Sequence, residues 1–149
     1  MPTGYKSVLS SYTGLREQLA KNGPGREMAR QLIAATGSNL DNPATNFYEF
    51  EIDPLKLAED TAQAFFGTRI QCSQCHNHPF DRWTMADYRG FVAFFTQVGR
   101  KQGEDPRERV IFNSGGGESR HPVTTAVLPP KFPRGGKPDC TGRDRRQGR

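Results

Sequence analysis

Apolar side chains recur at helical spacing in two stretches of the chain, and each stretch carries its own start and stop signals. In the first stretch, Asp53 and Pro54 precede the apolar face and Gly67 follows it. Aspartate caps free backbone N–H groups, and proline suits the first position of a helix. In the second stretch, Thr84–Asp87 resembles a capping box, and an aromatic face then runs as far as Gly99. The pattern therefore predicts two well-delimited helices.

The N-terminal part of the chain carries weaker signals. Arg26–Thr36 places apolar residues on one face at spacings of four and three, and Gly37 follows it. This pattern predicts a short amphipathic helix. Within residues 1–25 only Leu15–Ala20 has a helical pattern, so this part is predicted to be a poorly defined segment.

The C-terminal part follows a different pattern. Arg109–Asn113 and His121–Leu128 flank the glycines Gly115–Gly117, which predicts a small β-hairpin. Residues 134–149 contain almost no apolar side chains and are expected to be disordered. The sequence thus predicts a mainly α fold with a small hairpin and a disordered basic tail, its domain spanning residues 26–133.

The composition limits the core and excludes two functional classes. The chain has 149 residues, 34% of them hydrophobic, with 16 Gly and 11 Pro, which suits one small domain with long irregular stretches. No window contains 18 consecutive apolar residues, so no transmembrane helix is expected. Of the net charge of +5, residues 134–149 supply +4, from six basic and two acidic side chains. Because this tail has no aromatic residue to stack on bases, we do not expect nucleic-acid binding.

The densest group of reactive side chains lies between the two well-delimited helices, where Cys72, Cys75 and His76 form a CxxCH motif. This spacing is typical of covalent attachment of a c-type haem. Two residues between the thiols let both sulfurs reach the two vinyl groups of one porphyrin, and the adjacent imidazole can bind the iron from the same side. We predict a CxxCH loop between short helices, in which Cys72 and Cys75 attach the haem and His76 is the proximal ligand.

A haem iron that only transfers electrons takes a sixth ligand from the protein. Met85 is the nearest candidate along the chain and His121 is the distant one, whereas His78 is too close to His76 to reach the opposite side easily. Met28 is a further candidate. An open sixth position would instead permit binding of small ligands.

Other side chains near the motif have two alternative interpretations each. Asp81 either accepts a hydrogen bond from an imidazole N–H or forms an ion pair with Arg82. The aromatic residues either line a porphyrin or form an ordinary helix core. These aromatic residues are Phe65, Phe66, Phe80, Trp83, Phe91, Phe94 and Phe95.

The same motif permits three alternatives to haem. Zinc is the first, with Cys72, Cys75, His76 and His78 as ligands and His121 able to replace one of them. Zinc binding would add folding free energy to a chain with a small core. A thioredoxin-like dithiol is the second, although the chain lacks the βαβ pattern that usually surrounds it. Two structural thiols or a simple disulfide without a cofactor are the third.

The stretch Phe65–Arg100 resembles the closing part of the planctomycete-type cytochrome c domain family, a domain of unknown function in large exported bacterial proteins. Members of that family carry CxxCHxHxFD followed by DYY and AFF. The residues that match are Cys72, Cys75, His76, His78, Phe80, Asp81, Trp83, Asp87, Tyr88, Phe94 and Phe95. The resemblance implies a haem c domain for electron transfer or redox sensing.

The resemblance also implies a cellular context. It implies a periplasmic or otherwise exported protein, with the signal peptide outside this chain. It further implies that the chain is a fragment covering the C-terminal part of the family domain. The expected partners are other domains of a longer parent protein or separate redox proteins.

Overall fold

The computed structural model describes residues 5–133, 135–136, 138–140 and 144–147. The α-helices among these residues are α1 (Tyr5–Ala20), α2 (Gly25–Ile33), α3 (Pro54–Phe66) and α4 (Met85–Val92). The strands are β1 (Gly37–Ser38), β2 (Val98–Gln102), β3 (Arg109–Asn113), β4 (Ser119–Arg120) and β5 (Val127–Leu128). Three 3-10 helices span Pro43–Tyr48, Gln71–Gln74 and Arg145–Gln147. None of the described helices is both long and apolar enough to cross a bilayer.

The elements fall into two compact units, each built from two separate stretches of chain. The first unit contains α1, α2, the 3-10 helix Pro43–Tyr48 and strands β1 to β3. The second unit contains α3, α4, β4, β5 and the other two 3-10 helices. The domain boundaries predicted from the sequence, at residues 26 and 133, are not tested by these units and stay a prediction.

A three-stranded antiparallel sheet organises the first unit, with β3 between β1 and β2. Its register places Gly99 opposite Phe112. A Cβ atom on Gly99 would lie 2.6 Å from the Phe112 ring, so only glycine leaves room for that ring across β2. The prediction that Gly99 stops a helix is therefore wrong: α4 ends at Val92, and Gly99 is a strand residue.

Hydrogen bonds join this sheet to the 3-10 helix Pro43–Tyr48. Arg100 on β2 donates from Nε to the carbonyl oxygen of Tyr48 (3.0 Å) and from Nη2 to that of Glu51 (2.9 Å). The Tyr48 side chain is fully buried, and its hydroxyl donates to the carbonyl oxygen of Ile33 at the end of α2. The core of this unit is thus fixed by polar contacts around one tyrosine as well as by apolar burial.

Two capped helices organise the second unit, and the sequence predictions for their caps are confirmed. Asp53 accepts a hydrogen bond from the N–H of Leu55 (3.0 Å), and Gly67 ends α3 in the left-handed region at φ 64°. Thr84 and Asp87 form a capping box at the start of α4. The buried apolar residues of this unit include Leu57, Ala58, Ala62, Ile70, Tyr88, Phe91, Val92, Ala93 and Phe95.

The predicted fold class is wrong in its main statement. Among the described residues, helices account for 42% and strands for 12%, so the fold is mixed rather than mainly α. The predicted hairpin does not form, because β3 pairs with β1 and β2 while β4 pairs with β5. Alternation in such short segments indicates strands but does not determine their partners.

Two local parts of that prediction also need correction. The first part of the CxxCH segment is not a loop, since Gln71–Gln74 forms a 3-10 helix. The tail is not disordered throughout, since Arg146 is buried in the 3-10 helix Arg145–Gln147 and forms an ion pair with Asp144. Arg145 donates to the carbonyl oxygen of Ala93 (3.2 Å), so these charges serve tertiary contacts that composition alone does not reveal. The rest of the predicted tail lies partly outside the described residues.

Replacing Asn39 tests whether its buried hydrogen bonds stabilise the first unit. This buried side chain accepts a hydrogen bond from the N–H of Arg109 (2.8 Å) and donates one to Ser7 Oγ (3.2 Å). Asn39→Ala leaves the Arg109 N–H without this acceptor, so we expect the free energy of unfolding to fall by about 1–3 kcal/mol. Urea denaturation measures it. The exposed neighbour Leu40 is the control, because Leu40→Ala should change stability by less than about 0.5 kcal/mol. Equal effects of the two variants on stability would contradict this stabilising role of Asn39.

The pH dependence of stability tests the capping box. Partial burial alone would raise the pKa of Asp87, but hydrogen bonds from Lys131 and Thr84 outweigh it and lower the pKa below its ordinary value of 3.8. A carboxylate whose pKa is lowered by folding stabilises above its unfolded pKa and loses that contribution as the pH falls through the folded value. We therefore expect Asp87→Asn to have a lower free energy of unfolding than wild type near neutral pH. Below about pH 4 its free energy of unfolding should fall less steeply with decreasing pH than that of wild type. Urea denaturation between pH 3 and 7 measures both effects, with the exposed Asp60→Asn as control. An unchanged pH slope in Asp87→Asn would exclude this role.

Candidate functional site

The two cysteines of the CxxCH motif lie on one turn of 3-10 helix. Cys72 belongs to the turn Gln71–Gln74, and Cys75 caps its C-terminal end in a right-handed helical conformation (φ −114°, ψ −25°). A 3-10 helix has about three residues per turn, so side chains three positions apart lie on the same side. Both cysteines are exposed free thiols. The turn therefore presents two thiols together to solvent.

Ser73 fixes the orientation of this turn. Its side chain is fully buried, and its hydroxyl donates to the carbonyl oxygen of Trp83 (3.4 Å). Its backbone N–H donates to the carbonyl oxygen of Ile70 (2.9 Å), and Ile70 is itself fully buried. Because Ser73 points inward, the neighbouring cysteines point outward.

His76 follows directly and has one nitrogen free for a metal. Its side chain is exposed, and Nδ1 lies 2.7 Å from the carbonyl oxygen of Asn77. A carbonyl oxygen can only accept, so Nδ1 carries the proton and Nε2 keeps an available lone pair. Metal-binding histidines commonly donate their other ring N–H to such an acceptor. The tautomer of His76 is thus the one that binds a metal through Nε2.

His78 belongs to the loop that leads into α4, and its hydrogen bonds stabilise that loop. Its N–H donates to the carbonyl oxygen of Trp83 (2.8 Å), and its Nδ1 accepts the N–H of Phe80 (3.2 Å). Asn77 Oδ1 accepts the N–H of Met85 (3.1 Å), the first residue of α4. These bonds close the loop at its base.

The other predicted ligands have local roles in the structure. The ring Nδ1 of His121 lies 3.3 Å from the N–H groups of Val123 and Thr124, in the turn between β4 and β5. Met28 belongs to the first unit. Among the described residues, no three side chains of His, Cys, Asp or Glu are grouped so that they could hold a metal ion together. Cys72, Cys75 and His76 are neighbours along the chain at the 3-10 turn, but their side chains do not form such a group either.

Neither predicted role of Asp81 is present. Its Oδ1 accepts the backbone N–H of Arg82 (2.7 Å), which is a local turn contact rather than a bond to an imidazole. No ion pair between Asp81 and Arg82 forms among the described residues.

The aromatic residues near the motif form a core. The ring of Phe91 contacts four other rings edge to face, with centroid separations of 5.7–6.4 Å. These rings belong to Phe66, Trp83, Phe94 and Phe95. Of the five, only Phe66 is exposed. Phe80 does not join them: its side chain is 94% exposed, in the same loop as His78.

Two further residues shape the site, and the sequence did not predict either of them. Ser73 orients the cysteines, and Asn77 supplies both the carbonyl acceptor for His76 and the amide oxygen for α4. The only sequence signal for Ser73 is its place between two cysteines that both need access to solvent. Asn77 carries no such signal, because its bond to Met85 depends on how the loop folds back on α4.

Thiol reactivity tests this arrangement. We expect Cys72 and Cys75 to react with a maleimide at the rate of an exposed thiol at pH 8, and Cys140 to react roughly tenfold more slowly. Cys140 is half-buried, and burial raises its pKa above the ordinary value of 9.0 despite the nearby Arg145. Mass spectrometry of tryptic peptides gives the three rates, and denatured protein is the control in which they converge. A slower reaction at either motif cysteine than at Cys140 would contradict the structure.

Comparison with known proteins identifies the family but not the activity. No curated protein and no solved structure matches this chain. One family model, described as PSCyt2, Protein of unknown function (DUF1549), matches residues 6–100. The match includes Cys72, Cys75, His76, His78 and Met85, whereas His121 lies beyond it. Since the match covers more than half of the chain, the chain belongs to the PSCyt2 family of proteins of unknown function.

Proposed function

We propose that this chain binds a haem covalently through Cys72 and Cys75 and ligates its iron through Nε2 of His76. The observation that carries the proposal is the chemistry of one short turn: two exposed thiols on the same side and, next to them, an imidazole whose Nδ1–H is already used. These are the groups that a c-type haem needs from one side of the protein. The donor set therefore fits this prosthetic group.

Covalent attachment requires only the two thiols and the two vinyl groups of the porphyrin. Each sulfur forms a bond to one vinyl carbon, and the thiol hydrogen ends on the other carbon, so no oxidant is consumed. The exposed position of Cys72 and Cys75 leaves both sulfurs accessible without unfolding of the turn. The buried Ser73 keeps the turn in place while they react.

The surrounding residues favour electron transfer or redox sensing. The haem, when bound, supplies a one-electron redox couple. The carbonyl of Asn77 holds the ring of His76 in its ligating tautomer. Because the thiols and the imidazole are exposed, a redox partner can approach the site. We place this activity in an exported or periplasmic protein, with other domains of a longer chain or separate redox proteins as partners.

The geometry favours haem over zinc at the same motif. A structural zinc site needs four donors that converge on one point. Among the described residues no three such side chains converge, and Nδ1 of both His78 and His121 accepts backbone hydrogen bonds. Haem attachment makes a smaller demand, since it needs one imidazole and two thiols on one side.

Removing the motif thiols tests the proposal. The chain is exported to the periplasm of a host that contains a cytochrome c maturation system, and the purified protein is extracted with acidified acetone. We expect wild type and Cys140→Ala to keep the Soret absorption in the protein fraction and to gain the mass of one haem. The double variant Cys72→Ala/Cys75→Ala should lose both signals, because a haem without thioether bonds is extracted. Cys140 is the matched control because it is the third cysteine of the chain.

Two results would overturn the proposal. One is covalent haem that persists in the double variant. The other is a colourless wild-type protein under the same conditions, whose thiols are bare or hold one zinc ion per chain. The second result with zinc present would establish the structural zinc module instead.

A further inference from the structure

The first unit contains a cleft that the proposed haem site does not use. It lies among α1, α2 and the 3-10 helix Pro43–Tyr48, and its volume is about 600 Å³. Pockets for small molecules typically measure about 300–1,000 Å³. All of its lining residues belong to the first unit. The cleft is therefore large enough for a compact organic ligand.

The packing of α1 on the 3-10 helix forms one wall of this cleft. A Cβ atom on Gly14 would lie 3.2 Å from Cβ of Pro43, so glycine permits the close approach of the two elements. A neighbouring hollow of about 370 Å³ shares Gly14, Glu17 and Pro43 with the cleft. Glu17 thus lines both spaces.

Most of the cleft surface is apolar and partly aromatic. The principal apolar side chains are Leu15, Met28, Leu32, Pro43, Phe47 and Phe50. The ring of Phe47 is held edge to face against Tyr48, with a centroid separation of 5.2 Å. Phe50 is 63% exposed, so it offers a ring to a ligand as well as to solvent. Such a surface selects a ligand with an apolar body.

Glu17 is the only charged side chain among the lining residues. Several neutral polar groups there already bond to their own chain: Asn42 to Ala44 and Thr36, and Ser11 to Ser7. No ion pair within the described part of the chain uses the Glu17 carboxylate. Glu17 is exposed and lines the same cleft as two aromatic rings. This combination favours an organic cation, since both a carboxylate and ring faces attract an ammonium group.

We propose that this cleft binds a small organic cation in which an ammonium group is joined to an apolar body. The apolar walls take the body, and Glu17 with the rings of Phe47 and Phe50 takes the cationic group. The net charge of the whole chain is +5, so cation binding would depend on this local carboxylate and not on general attraction. This proposal is independent of haem attachment.

Titration of the full chain with three matched probes tests the inference. The probes are phenethylammonium, neutral 2-phenylethanol and anionic 3-phenylpropanoate, followed by amide NMR shifts. We expect phenethylammonium to bind saturably and roughly fivefold more tightly than 2-phenylethanol, with shifts confined to α1, α2 and residues 43–50. The anion should bind more weakly than the alcohol.

Two variants and a control connect the binding to this cleft. Glu17→Gln keeps the shape of the side chain and should remove the preference for the cation. Phe50→Leu should weaken all three probes. Glu27→Gln is the control, because Glu27 is exposed on α2 and does not line the cleft. Thermal unfolding without probe checks that each variant is folded.

The inference is overturned if no probe binds saturably up to its solubility limit. It is also overturned if the alcohol binds as tightly as the cation, or if Glu17→Gln and Glu27→Gln have equal effects. Shifts confined to other parts of the chain would show that the ligand binds elsewhere, which would equally exclude the cleft.

Discussion

The candidate site depends on the burial of a single small polar residue, Ser73. A buried hydroxyl and N–H must find acceptors inside the protein, and for Ser73 these are the carbonyl oxygens of Trp83 and Ile70. Both acceptors lie in the core of the second unit. Since Ser73 stands between the two cysteines on one tight turn, its inward direction determines their outward one. The accessibility of both thiols is therefore a consequence of core packing.

The aromatic core next to this turn limits how a prosthetic group can be held. Phe91 and three of the rings around it are buried against one another, so they stabilise the unit without leaving an open wall. Aromatic pairs of this kind contribute about 0.5–1.5 kcal/mol beyond the burial of their area. The exposed ring of Phe80 is the apolar surface that remains available in the loop. Few apolar side chains of the described loop are therefore free to cover a group bound at the turn.

The two units carry different chemistry. The second unit presents two thiols at a tight turn with an imidazole next to them, whereas the first unit contains an open apolar cleft lined by one carboxylate. Both features lie within residues 6–100, the part of the chain that matches the PSCyt2 family. The motif and the cleft share no residue, so a substitution in one should leave the other intact. The two proposals can therefore be tested separately.

Features that depend on neighbouring residues follow from the order of amino acids alone. Asp53 and Thr84 bond to N–H groups two and three positions away, and the CxxCH spacing is local as well, so these could be predicted from the order of residues. The sheet depends instead on long-range packing, since Asn39 bonds to Arg109 across 70 positions of sequence. The role of Gly99 beneath the ring of Phe112 depends on the same packing. The cleft around Glu17 belongs to the same class, because α1, α2 and the 3-10 helix Pro43–Tyr48 together form it. Contacts between distant residues depend on how several elements pack at once, and no short pattern of residues records that packing.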